Sequence, residues 1–138
     1  MPRQKSSYDH GIETKRVYRF EYGYFRYHYF SKPRSMKYLK NEAKYLWNVL
    51  KIKKPMPNIK AGRGTAFGGK LYSYYSEKEG IVMSRNQRDI VTLIHELAHA
   101  IGHDHHDHQF VDQIFKMYKL YDIDTKALAQ ARIISRLP

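Results

Sequence analysis

Between Asn86 and Gly102 the apolar residues recur with the period of an α-helix, and two histidines stand four apart inside that repeat. Val91, Ile94, Leu97, Ala98 and Ile101 fall on one face, so the segment must lie against a core along most of its length. Asn86 is a candidate N-cap, Asp89 a favourable first-turn acid, and Gly102 a natural C-terminal stop. The histidines belong to the run His95-Glu96-Leu97-Ala98-His99. Positions i and i+4 project from the same side of a helix, so both imidazoles can reach one ion.

Neutral imidazole is a good zinc ligand, and a catalytic zinc keeps three protein ligands and one open position. Glu96 stands beside the first histidine, where a carboxylate can take a proton from a water that the metal has made acidic. With this composition an HExxH run arises by chance in about two chains in a hundred of this length, so its weight comes from context. Six of the eight histidines fall between 95 and 108, which leaves His103, His105, His106 and His108 as candidates for a third ligand. HELAHAIGHDH also reads as HExxHxxGxxH, the pattern of metzincins, which nominates His105. The bland alternative is a helix with structural histidines followed by a solvated, metal-scavenging tract.

The rest of the chain is organised around this helix. Residues 1–16 are polar, charged and unpatterned, and read as a flexible basic arm. Val17 to Phe30 places Tyr18, Phe20, Tyr22 and Tyr24 at strict alternation, which predicts a strand with a bulge at Gly23. A sharper reading of the same segment is a platform for stacking bases, flanked by Arg19 and Arg26. A helix is predicted from Pro33 to Leu50, with Leu39, Ala43, Leu46 and Leu50 on one face and Pro55 and Pro57 beyond its end. Residues 58–84 read as a hairpin that turns at Glu77-Lys78-Glu79-Gly80. Gly62, Gly64, Gly68 and Gly69 crowd its first arm without the spacing of a phosphate loop. Further helices are predicted over about 107–121 and from Asp124 or Thr125 onward.

Charge is distributed as unevenly as histidine. Residues 1–60 hold 15 Lys+Arg against 4 Asp+Glu, and residues 61–138 hold 10 against 9, for a total of +12. A basic half joined to a near-neutral half suits an anionic partner, nucleic acid above all. At 138 residues one domain over 17–138 is expected. The mean hydropathy of −0.72 and the lack of any long apolar run argue against a membrane span. The opening MPRQKSSYDH has no apolar stretch behind its charges, so a signal peptide is not expected. The chain has no cysteine, which excludes thiolate ligands, a cysteine nucleophile and a disulfide scaffold. A cytoplasmic location is the expectation, or association with a virion if the chain is phage-encoded.

From Ala61 to Tyr121 the chain resembles the SprT-like metallopeptidases and related small zincin-like proteins of bacteria and phages. The likeness lies in the glycine-rich strand Gly62-Arg63-Gly64-Thr65-Ala66-Phe67-Gly68-Gly69, a second strand, the HExxH helix, and a histidine four residues before the Phe that opens the next helix. That Phe is Phe110, which points to His106 as third ligand with His105 as runner-up. His106, Phe110, Ile114, Met117 and Tyr121 also share a helical face. The resemblance implies an α+β, minimal zincin-like fold: a small antiparallel sheet packed on the HExxH helix, with two or three further helices. It implies a zinc metallopeptidase with His95, His99 and His106 on the metal, Glu96 as general base, and a protein substrate associated with nucleic acid. Arg63, Tyr72, Tyr74 and Tyr118 are candidates, by location alone, for contacting substrate or the developing oxyanion. The competing expectation is a basic nucleic-acid-binding or virion-associated structural protein with a closed, structural zinc site.

Overall fold

The computed structural model describes residues 12–67 and 70–138. These form the helices α1 (Ile12–Tyr24), α2 (Met36–Val49), α3 (Ile90–Ile101), α4 (His108–Tyr118) and α5 (Thr125–Ile134). The strands are β1 (Ile59–Gly62), β2 (Thr65–Phe67), β3 (Lys70–Tyr72), β4 (Tyr74–Ser76) and β5 (Gly80–Ser84). The chain is therefore α+β. Residues 29–102 make one compact unit, and residues 12–28 with 103–138 make another.

In the first unit β5 is the central strand of a three-stranded sheet ordered β1-β5-β4. All five of its residues are buried, as a strand paired on both edges and covered by a helix requires. β4 pairs with it antiparallel, Tyr74 opposite Val82, across the turn foreseen at Glu77–Gly80. β1, however, runs parallel to β5, with Ile59 opposite Ile81. The sheet is thus mixed rather than antiparallel, and the predicted first hairpin arm is broken into separate strands. Thr65–Phe67 instead pairs antiparallel with Lys70–Tyr72 as a two-stranded ribbon. The parallel pair closes at Gly80: the Ile81 N–H donates to the Asn58 carbonyl at 2.8 Å. Gly80 has φ +79°, and a Cβ there would run into that carbonyl, so no other residue fits without moving the strand.

Two helices cover this sheet unit. The Ser35 Oγ caps α2 by accepting from the Tyr38 N–H at 3.1 Å, and α2 buries Leu39, Ala43, Leu46 and Trp47, close to the face predicted for it. Asp89, rather than Asn86, caps α3: its Oδ1 accepts from the Thr92 N–H at 2.8 Å. Asn86 lies in a preceding 3₁₀ turn, Arg85–Gln87. At the other end Gly102, with φ +134°, stops the helix as expected. α3 packs on β4, β5 and α2. Val91, Ile94, Leu97 and Ala98 are all buried, as is most of the helix. Full burial of a side chain such as Leu97 is worth roughly 1.5–3 kcal/mol, so this helix cannot shift without losing several such contributions.

The second unit holds the largest departure from the sequence reading. The segment predicted as an aromatic strand, Val17 to Phe30, is helical over Ile12–Tyr24. Its alternating aromatics are also two i,i+4 pairs: Tyr18 lies 6.3 Å from Tyr22 and Phe20 lies 5.4 Å from Tyr24, centroid to centroid. Burial settles the period, because Thr14, Val17, Phe20 and Glu21 are covered while Tyr22 is 54% exposed. The single-faced platform that a strand would offer is accordingly not formed. Of the predicted arm, residues 1–11 lie outside the described residues and Ile12–Arg16 open this helix.

Phe20 stacks on Phe115 of α4 at 5.4 Å, and Phe25 packs on Tyr118 at 4.9 Å. Burial pushes the Glu21 carboxyl well above the ordinary carboxylate range. Burial, with the Glu21 charge beside it, raises the Tyr118 hydroxyl as well. α4 is capped by the Asp107 Oδ1 on the Phe110 N–H at 3.1 Å. α5 is capped by the Asp124 Oδ1 on the Lys126 and Ala127 N–H groups. No helix among the described residues is long and apolar enough to cross a membrane.

Candidate metal centre

The position of α3 decides what its histidines can do. Capped at Asp89 and buried along most of its length, it brings His95 and His99 one turn apart, ring centroids 4.9 Å apart. His95 is only 3% exposed, and that burial lowers its pKa to about 3. The imidazole therefore carries a lone pair at every physiological pH, the form in which it ligates a metal. His99 is half-buried. Glu96, between them in sequence, is 6% exposed.

His106 lies in the bend that precedes α4, next to the capping Asp107. It is 5% exposed. Its Nδ1 sits 3.0 Å from the Thr14 Oγ1 of α1. The Tyr18 ring lies 5.7 Å away, tilted, and the Phe110 ring meets it edge-on at 4.8 Å.

Ring nitrogens of His95, His99 and His106 all lie within 4.8 Å of one another. Among the described residues this is the one group of three or more potential ligands so disposed. Zn–N bonds of about 2.0–2.1 Å set tetrahedral donors about 3.4 Å apart, so adjustments of about an ångström would bring the three onto one ion. An all-imidazole donor set suits zinc and other borderline divalent metals and does not suit magnesium or calcium.

The other sequence candidates are placed differently. His105, the runner-up, is half-buried in the same bend, and it is His106 whose ring nitrogens fall within the group. The His103 Nε2 lies 3.3 Å from the Gln113 Oε1. His108, exposed on the first turn of α4, pairs with Asp112 at 3.0 Å. Arg63 is exposed between β1 and β2, and Tyr72 is half-buried at the end of β3. The Tyr74 hydroxyl donates to the Glu79 Oε2 at 2.9 Å, which raises its pKa. Tyr118 is fully buried in the aromatic cluster of its unit.

Two residues that touch His106 were not foreseen, Thr14 and Tyr18. Read in isolation, Thr14 is one polar residue in a polar run. The signal was the spacing Thr14, Val17, Glu21, which continues as a helical face only when the aromatic alternation is set aside.

An α+β chain with a three-histidine group able to hold a metal ion is thus the class that fold and site define. No protein-family model, no curated protein and no solved structure matches the chain.

Proposed function

We propose that the protein is a zinc-dependent metallopeptidase. The observation that supports this most is the three-histidine group with Glu96 directly after its first member on a rigid helix. In this reading His95, His99 and His106 hold the ion. Zinc, when bound, supplies a Lewis acid that brings the pKa of water down toward 7 and polarises a carbonyl. Glu96 takes a proton from the attacking water as its oxygen bonds to the scissile carbonyl carbon. Glu96 then gives that proton to the amide nitrogen as the C–N bond breaks, so it ends as it began. β4 is an edge strand of the sheet and packs on α3. An extended peptide adding to such an edge is held by backbone hydrogen bonds, which fits a protein substrate of unfixed sequence.

The test is metal content and turnover on tag-free protein. One equivalent of zinc by mass spectrometry, lost in His99→Ala, is expected together with chelator-sensitive cleavage of an unfolded protein. No zinc after supplementation sinks the reading. One zinc without turnover transfers the site to the structural-protein alternative, in which the metal serves folding.

A basic cleft in the second unit supports a second part of the reading, nucleic acid as partner. Lys15, Arg16 and Arg19 of α1 and Arg136 line it, over a floor that includes Phe20 and Ala131. Arg136 holds a left-handed backbone, φ 55°, where glycine is favoured. Binding of a single-stranded oligonucleotide is expected to weaken steeply with salt. The Arg16→Glu, Arg19→Glu double variant should reduce the slope of log K against log salt by about 2. An unchanged slope in a filter-binding titration would move the contact elsewhere.

A further inference from the structure

The brace on His106 carries an inference that rests on the metal reading and deepens it. We propose that Thr14 is a positioning residue for the metal centre: its hydroxyl accepts the Nδ1–H of His106 and so makes Nε2 the nitrogen offered to the ion.

His95 and His99 inherit their orientation from α3, whose backbone is fixed by its cap and its packing. His106 has no such support. It stands in a bend, and the next residue turns the chain into α4 by capping it. A ring on a loop is aimed only by what touches it. Among its contacts, two come from one side of α1: Thr14 at 3.0 Å and, one turn on, Tyr18 at 5.7 Å. Phe110, four residues on, meets the ring at 4.8 Å.

Of these, Thr14 alone distinguishes the two ring nitrogens. Imidazole has one protonated nitrogen and one lone pair, and the partner of one fixes the role of the other. A hydroxyl can accept or donate. Accepting from Nδ1–H places the lone pair on Nε2 and raises its basicity, the arrangement in which ligating histidines are usually held. Thr14 and His106 are each 5% exposed, so water does not readily stand in for the hydroxyl. α1, from a segment with no motif of its own, is thereby part of the site. Thr14 touches neither the ion nor the substrate; it acts through His106.

Val matches Thr in shape and lacks the hydroxyl, whereas Ser keeps the hydroxyl. In competition with a chromophoric chelator, Thr14→Val is expected to bind zinc 10- to 100-fold more weakly, roughly the cost of losing such a partner. Thr14→Ser should restore most of the affinity, and circular dichroism should show both variants folded. A merely structural Thr14 would lower stability and leave zinc affinity unmoved, so Thr14→Val with wild-type affinity overturns the proposal and leaves the metallopeptidase reading standing. Absence of zinc binding by the wild type overturns both. A readout without metal separates them further: ¹⁵N shifts of the His106 ring at neutral pH should show Nδ1 protonated in the wild type and a shift toward protonated Nε2 in Thr14→Val. A wild-type ring protonated at Nε2, with Thr14 donating, also overturns the proposal.

Discussion

Glu96→Gln is expected to leave one equivalent of zinc bound and to cut the cleavage of an unfolded protein by about 10²- to 10⁴-fold, the usual worth of a positioned general base. The amide fills the same space and can still accept a hydrogen bond, so neither the fold of α3 nor the position of His95 and His99 should change. What it cannot do is take a proton and return it. Glu96 is 6% exposed, which limits access of a buffer base that could replace it, so the loss should resist rescue by small amines or carboxylates. Loss in kcat with little change in KM is the expected split, because the proton transfer belongs to the transition state. Turnover retained within a few-fold, at unchanged zinc content, would remove Glu96 from the chemistry.

The parts of the chain that sequence made legible are those whose signal is local. α3 could be read from Val91, Ile94, Leu97 and Ala98, and α5 from Asp124, which does cap it. The offset of the α3 cap from Asn86 to Asp89 is a competition between two good capping residues three positions apart. Asp89 wins because Asn86 itself lies inside the 3₁₀ turn Arg85–Gln87. α1 was misread because Tyr18, Phe20, Tyr22 and Tyr24 satisfy two periods at once. Tertiary packing of Val17, Phe20 and Phe25, all nearly or fully buried, selects the helical one. The parallel pairing of β1 with β5 has no local signature either, since it joins residues some 22 positions apart, Ile59 opposite Ile81, across other strands. The same limit hid Thr14, whose contact to His106 spans 92 positions. Metal-site motifs announce first ligands because a helix fixes their spacing; the groups that orient a loop-borne ligand lie wherever the fold brings them.

Acid should expose how deeply the centre is buried. In the metal-free protein the His95 pKa is lowered to about 3, against about 6.5 in an unfolded chain. Between those values the unfolded state binds the proton and the folded state does not, so stability falls as pH falls. The neutral His95 contributes in full above pH 6.5. Its contribution declines with each pH unit below that and is spent by about pH 3. Urea unfolding in the presence of chelator, from pH 8 to pH 4, should therefore show midpoints that drop steadily below pH 6.5, and His95→Gln should flatten the slope. Zinc adds a second term, since a metal bound only by the native state stabilises it by about 4 kcal/mol at a thousand times Kd. That term must shrink in acid, because each ligand that takes a proton is lost to the metal. The zinc-loaded and chelated curves are expected to lie furthest apart at neutral pH and to converge toward pH 4. A metal-free midpoint that stays level from pH 6.5 to 4 would mean that His95 is reached by water, and a site open at that depth could not hold its first ligand dehydrated and neutral.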